Sequence, residues 1–168
     1  AERIAFVLHD MFGVSFDEIA SVVQRSPAAA RQLASRARRR VRGADTPDPD
    51  HGRQRAVVTA FLAASQGGDF AALLALLDPE VVLRPDGRAV RMGVGEVTGA
   101  RAVASTFRGQ ASAAQVALVD GVPGVVWVAK GKLRAALLFS VVDGRIVAID
   151  ALAEPDRLAE LDVRIVPT

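Results

Sequence analysis

Several residue types are absent or rare in this chain of 168 residues, and each absence removes a class of function. There is no cysteine, which excludes disulfide scaffolds, thiol catalysis and cysteine-ligated metals, and which suits a reducing cytosol. There is no tyrosine, and there are only two histidines and one tryptophan. No apolar run approaches the roughly 20 residues that span a bilayer, and no signal-peptide pattern opens the chain. The composition predicts a soluble, cytoplasmic protein with no metal site and no cofactor.

Positive charge is concentrated at the amino-terminal end. Residues 1–42 carry eight arginines against four acidic residues, whereas the remainder is slightly acidic. A basic head on a mildly acidic body favours a nucleic-acid partner for the head alone. Residues 43–52 are rich in Pro, Gly and Asp and are predicted to be an interdomain linker. The body is then residues 53–168.

The head is predicted to contain three short helices. The first spans about residues 2–11, and the second begins near Ser15, which has the side chain of an N-cap. The third begins with Ser26 as a cap and Pro27 in its first turn, and it runs to about Arg42. Two helices joined by a short turn, the second of them basic, are typical of a helix-turn-helix.

The third helix is predicted to be the part that enters a DNA major groove. Between Ser26 and Arg42 there are six arginines and no acidic residue, and small apolar residues occupy one narrow arc of the helical projection. Arginine and glutamine can address base edges, while other arginines contact phosphates. The predicted base contacts are Arg31, Gln32, Ser35 and Arg36, the predicted phosphate contacts are Arg38, Arg39 and Arg42, and Ser26 completes the DNA-binding set.

The body is predicted to be an α+β domain. Helices at about 54–66, 69–77 and 100–108 precede four apolar stretches that are separated by turns, of which Asp143-Gly144 gives the strongest hairpin signal. Helices followed by an antiparallel meander favour a curved sheet wrapped over helices. A short helix from Pro155 is predicted near the end of the chain. The fold class is therefore α+β in two domains, a small all-α head followed by an α+β body.

Three residues of the body are candidates for lining a pocket: Trp127, Asp86 and Asp150. Asp150 alternates with Ile146, Ala148 and Leu152, so it is predicted to share their strand face. It is either a general base, a hydrogen-bonded structural acid or a residue at the rim of the pocket. Both histidines, His9 and His51, are expected outside the body, which leaves it without an imidazole for general base catalysis. The prediction is that the protein is not an enzyme.

The motifs of the head, in their order, resemble region 4 of bacterial extracytoplasmic-function sigma factors. The residues that carry this resemblance are Phe16-Asp17-Glu18-Ile19-Ala20 on the second helix, with Ser26, Arg31 and Ser35-Arg36-Ala37-Arg38 on the third. The resemblance implies recognition of the −35 promoter element and contact with the RNA polymerase core. It also implies a bacterial cytoplasmic location and a preceding sigma region 2. Because the chain begins at Ala1, inside a predicted helix, it is expected to be the part that lacks region 2.

The body resembles the SnoaL-like extension that one sigma subgroup carries after region 4, a cone-shaped α+β barrel related to ketosteroid isomerases and polyketide cyclases. The supporting segments are Gly68-Asp69-Phe70, Leu76-Leu77-Asp78-Pro79, Val147-Ala148-Ile149 and Glu154-Pro155-Asp156-Arg157-Leu158. The last resembles the subgroup's Asn-Pro-Asp-Lys-Leu signature, with Glu in place of Asn and Arg in place of Lys. The resemblance implies a non-catalytic regulator acting through interdomain contacts of residues 154–158. The alternatives are an isomerase or cyclase type of enzyme, or a small-molecule sensor, fused to a DNA-binding head.

Overall fold

A computed structural model describes residues 1–41 and 49–167. The chain divides into two compact units, Ala1–Pro47 with Glu160–Asp162 and Asp48–Ala159 with Val163–Thr168. We call residues 1–41 the head and the described part of the second unit the sheet domain. Within the described ranges, no helix has both the length and the apolar composition that a membrane crossing requires.

The head consists of helical segments joined by tight turns. Helix α1 (Glu2–Phe6) continues into a π-helical turn (Val7–Met11), and α2 (Phe16–Val23) and α3 (Pro27–Val41) follow. The sequence predicted one helix over residues 2–11, but a widened turn of five residues changes the period too briefly to show in a sequence pattern. The core of the head consists of Ile19 and four small side chains that let the helices approach closely: Ala5, Ala20, Ala30 and Ala34.

The sheet domain is built from both helices and strands. Its helices are α4 (Pro49–Gln66), α5 (Phe70–Leu76), α6 (Gly87–Arg91), α7 (Ala100–Phe107) and α8 (Pro155–Ala159). Its strands are β1 (Leu77–Pro85), β2 (Val97–Thr98), β3 (Ala114–Val119), β4 (Val122–Ala129), β5 (Lys132–Val142), β6 (Arg145–Leu152) and β7 (Val163–Ile165).

These strands form one mixed sheet in the order β2-β1-β6-β5-β4-β3-β7. Strand β1 runs parallel to β6, and every other pairing among them is antiparallel. The predicted meander is confirmed, because β3, β4, β5 and β6 pair in sequence order. The short edge strands β2 and β7 were not predicted, since two or three residues carry no usable alternation.

The main core lies where α4, α5 and α7 pack against one face of the sheet. Phe61 on α4 makes edge-to-face contacts with Phe107 and Phe139, at centroid distances of 5.3 and 5.1 Å. The Ser65 hydroxyl on α4 donates to the carbonyl of Phe107 and so ties α4 to the end of α7. These contacts bear out the predicted α+β class of helices on a sheet.

The carboxyl-terminal end of the predicted linker is helical. Residues 42–48 lie outside the described residues, but Pro49–Gly52 form the first turn of α4. Proline fits the first turn of a helix, where its missing N–H has no intrahelical partner in any case. His51 is therefore part of the sheet domain, and the expectation that both histidines lie outside the body is wrong.

A bulge in β6 changes which residues share a face with Asp150. Ile146 pairs with Val141 and Ala148 with Ser140, so Val147 is an extra residue in the strand. Ile146 therefore packs into the main core, on the face opposite to Asp150. The predicted alternation of Asp150 with Ile146 is wrong because a single inserted residue reverses the face of everything before it.

Candidate nucleic-acid interface

Helix α2 has a defined beginning and end, and these determine the angle at which α3 follows. The Ser15 hydroxyl accepts a hydrogen bond from the Glu18 N–H at 3.3 Å, which confirms the predicted cap. At the other end, Gln24 adopts the left-handed conformation with φ of 53°. The Arg25 N–H then donates to the Ala20 carbonyl at 3.0 Å, a bond that turns the chain sharply out of the helix.

Helix α3 begins as the sequence predicted. The Ser26 hydroxyl accepts from the Ala29 N–H at 3.1 Å, and Pro27 occupies the first helical position. Ser26 was predicted to belong to the DNA-binding set, and the structure gives its hydroxyl a capping role. Its contact with DNA stays a prediction.

The side chains of α3 are not equally exposed. Gln32 and Arg36 are exposed, whereas Ala30, Ala34 and Ala37 are buried, as the helical projection predicted. At about 100° per residue, Gln32 and Arg36 lie about 40° apart and form one stripe. Arg39 follows on the same stripe by spacing alone. Its side chain and the whole of Arg42 lie outside the described part of the chain, so their predicted phosphate contacts stay predictions.

Arg31 and Ser35 are less accessible than the projection indicated. The Arg31 guanidinium lies 4.9 Å from the centroid of the Phe16 ring and forms an ion pair with Glu160, a residue of the same unit. Ser35 is only 6% exposed. A helical projection gives the direction of a side chain but not its neighbours, so this crowding was invisible in the sequence. Their predicted base contacts stay predictions.

Arg38 holds a partner within the head. Its Nε donates to Asp10 Oδ2 at 2.7 Å, and its Nη2 donates to Asp10 Oδ1. Asp10 lies in the π-helical turn, next to His9, whose ring stacks on Phe16 at a centroid distance of 4.0 Å. The sequence analysis missed Asp10, because a residue 28 positions away leaves no local signal of the pairing.

Comparison with known proteins agrees with this geometry. The family model described as Sigma-70, region 4 matches residues 1–41. Residues 1–41 are therefore similar to sigma-70 region 4 over their whole length. The probable ECF RNA polymerase sigma factor SigI of Mycobacterium tuberculosis is 36% identical over 168 residues, which cover 96% of this chain and 56% of the relative. The ECF RNA polymerase sigma factor SigJ of the same species is 36% identical over 178 residues, which cover 93% of this chain and 56% of the relative.

The relationship extends through the sheet domain. The crystal structure of Mycobacterium tuberculosis SigJ matches with a TM-score of 0.54 at 33% identity, over 94% of this chain and 59% of that chain. The chain is thus related to extracytoplasmic-function sigma factors along most of its length. Below, the sheet domain is called the SnoaL-like domain, after the resemblance of its sequence. It spans about half the length of the curated relatives it matches, 56% in each case.

Asp86 is a structural residue of the SnoaL-like domain. Its Oδ1 accepts from the Ala89 N–H at 2.9 Å and so caps α6, while its Oδ2 accepts from the N–H groups of Ala153 and Glu154 at 2.8 and 2.9 Å. Burial raises the pKa of Asp86, but these three backbone donors and the positive charge of Arg157 outweigh burial and hold it below the ordinary value. An ionised carboxylate with three N–H donors is stabilised as an anion, which is unfavourable for a general base.

The other predicted pocket residues are also engaged. Asp150 accepts from Arg84 Nε at 2.8 Å and from Arg84 Nη2 at 3.1 Å, a two-pronged ion pair at a partly exposed position. Trp127 on β4 is partly buried and packs against the main core. The structure therefore does not gather Asp86, Asp150 and Trp127 into one shared cluster of contacts, and their placement in a pocket stays a prediction.

The sigma-subgroup signature, residues 154–158, is anchored inside the SnoaL-like domain at three points. The Glu154 N–H donates to Asp86, and the Glu154 carboxylate accepts from Arg91 Nη2 at 3.1 Å. Pro155 begins α8, which also contains Asp156 and Arg157, and Leu158 on α8 is buried. Interdomain contact by this segment stays a prediction. Within residues 1–41 and 49–167, no three potential metal ligands lie close together.

Proposed function

We propose that this chain recognises the −35 element of bacterial promoters through α3, as part of a sigma factor that acts in transcription initiation. The observation that carries the proposal is a capped helix-turn-helix with Gln32 and Arg36 exposed on its second helix, in a segment that the family model of sigma-70 region 4 matches. Glutamine and arginine can each form two hydrogen bonds with a base edge in the major groove.

The surface proposed to read bases contains fewer residues than the set predicted from the sequence. It consists of Gln32 and Arg36, with Arg39 at the next position of the same stripe. Arg31 can join it by exchanging its carboxylate partner Glu160 for DNA. Arg42 is proposed to meet a phosphate. Each phosphate that the chain neutralises would add about −0.9 to the slope of the logarithm of affinity against the logarithm of salt concentration.

The proposed partners follow from the family. In this proposal, region 4 also touches the RNA polymerase core, a sigma region 2 outside this chain supplies the rest of promoter recognition, and the protein works in the bacterial cytoplasm. The names of SigI and SigJ support the polymerase as a partner. These statements concern a longer protein than the chain described here.

The SnoaL-like domain is proposed to regulate the sigma factor without catalysis, by contacts that residues 154–158 make with other sigma domains. Two observations support a non-catalytic domain. Both candidate carboxylates, Asp86 and Asp150, already accept hydrogen bonds from the domain itself. The chain also contains no tyrosine to serve in an oxyanion hole of the ketosteroid isomerase type.

The test is selection of duplexes from a randomised pool with the whole chain, followed by a salt titration of the enriched duplex. We expect an enriched motif, and we expect Arg36→Ala to weaken its binding about tenfold or more. Arg101→Ala is the matched control, because it removes the same charge from an exposed position on α7. Enrichment that survives unchanged in both Gln32→Ala and Arg36→Ala would contradict the proposal.

A further inference from the structure

Arg38 lies on a different side of α3 from the exposed stripe. At about 100° per residue, Arg38 is about 40° from the buried Ala34 and about 160° from Arg36. When Gln32 and Arg36 point toward the bases, Arg38 therefore points to a different side of α3. This placement separates Arg38 from the residues proposed to read bases.

The Arg38 guanidinium is engaged through two of its nitrogens. Both oxygens of Asp10 accept from it, one at 2.7 Å from Nε and the other from Nη2. A planar guanidinium that meets a carboxylate in this two-pronged way is fixed in direction as well as distance. The carboxylate of Asp10 offsets the positive charge that Arg38 would otherwise offer to a phosphate.

Asp10 belongs to a segment that contacts both helices of the helix-turn-helix. The π-helical turn holds Asp10 against α3, and the neighbouring His9 stacks on Phe16 at the start of α2. The His9 Nδ1 also lies 3.1 Å from the carbonyl oxygen of Val14, just before α2. Turns of this widened type are frequent at functional sites. Here it presents two adjacent side chains to two different helices.

We infer that Asp10 and Arg38 are a positioning pair, which sets the orientation of α3 for base readout, and that Arg38 does not neutralise a phosphate. The inference rests on the proposed function, but it departs from the sequence prediction of a phosphate contact. It also names Asp10 as a residue on which sequence discrimination depends although it touches no DNA.

The experiment compares Arg38→Ala, Asp10→Asn and the double variant in the whole chain. The affinity for the enriched duplex and for an unrelated duplex is measured over a range of salt concentrations. A positioning pair predicts an unchanged salt slope in Arg38→Ala. It also predicts that the ratio of the two affinities falls by about fivefold in each single variant, and that the double variant loses less than the product of the two single losses. A slope that becomes shallower by about 0.9 with an unchanged ratio would overturn the inference.

A swapped pair, Asp10→Arg with Arg38→Asp, separates the two roles further. If the pair only positions α3, the swap restores the discrimination that either single reversal loses. If Arg38 meets a phosphate, the swap places a carboxylate there and binding falls below that of Arg38→Ala.

The pair is also tested without DNA, by coupling between the two reversals in urea unfolding. If the swapped chain loses as much free energy of unfolding as the two single reversals do together, the inference is overturned. A loss smaller than that sum supports the pair. A wild-type chain that enriches no motif would refute the proposed function, and with it the role in readout, while this coupling would still decide whether the pair orients α3.

Discussion

The head leaves two of its predicted functional side chains exposed, whereas the SnoaL-like domain engages both of its candidate carboxylates. In the head, Gln32 and Arg36 are exposed on α3. In the SnoaL-like domain, the carboxylates that first suggested chemistry are occupied by the domain itself, Asp86 by three backbone N–H groups and Asp150 by Arg84. A polar residue that suggests function in a sequence acts on a ligand only where its own fold leaves it available.

The largest effect should come from Asp86→Asn. The amide nitrogen would face at least one backbone N–H where a carboxylate oxygen now accepts, and the loss should lower the free energy of unfolding by about 2–4 kcal/mol. Asp143→Asn is the matched control, because it makes the same change at an exposed hairpin turn whose left-handed φ of 50° suits asparagine. Urea unfolding of both variants is the measurement. Equal stability of the two would show that the three N–H groups do not depend on Asp86.

The contribution of Asp86 should depend on pH. Its pKa in the folded state is lower than the unfolded value of about 3.9, so its stabilisation is fully present above about pH 4. It is lost as the pH falls through the lower, folded pKa. The difference in melting temperature between the wild type and Asp86→Asn should therefore be constant from pH 7 to pH 5 and shrink toward pH 3. A constant difference down to pH 3 would contradict a pKa that is lowered by folding.

A smaller effect is expected from Ser26→Ala in the head. Loss of the cap should destabilise α3 by about 1 kcal/mol, measured as roughly fivefold faster hydrogen exchange of its amides. Ser21→Ala, exposed within α2, is the control. If Ser26 acts mainly as a cap, affinity for DNA should fall by no more than this factor. A much larger loss of affinity would assign Ser26 a direct DNA contact.

The smallest effect should come from Asp150→Asn. The Arg84–Asp150 pair is more than a third exposed on both sides, at 54% and 35%, so water screens it and its removal should cost at most about 1 kcal/mol. Equilibrium unfolding checks this, with Arg84→Gln as the partner variant. A clear loss of stability in Asp150→Asn but not in Arg84→Gln would show that Asp150 has a role beyond this pair.

The sequence predicted the elements whose signals are local. Ser15, Ser26 and Pro27 marked the helix starts correctly, because caps act within one turn. The Asp143-Gly144 turn separates β5 from β6, since a two-residue hairpin depends on its own backbone. Region 4 and the meander of the SnoaL-like domain could be recognised for this reason.

What the sequence did not predict depends on distant partners. The backbone donors of Asp86 lie partly 67 and 68 residues further along the chain, and Asp10 lies 28 residues before Arg38. A bulge at Val147 reversed one strand face, and no change in residue type announces it. The sequence could therefore propose α3 as the site, but it could not show that Gln32 and Arg36 are its exposed residues, because exposure follows from packing.

The most direct test of the account is to map the duplex enriched by selection onto the isotope-labelled whole chain by amide chemical-shift changes. The account predicts the largest changes in α3 around Gln32 and Arg36, reduced in Arg36→Ala, and none that saturate with the duplex on the sheet of the SnoaL-like domain. Changes centred on that sheet, with α3 unaffected, would contradict the claim that the exposed face of the recognition helix reads DNA.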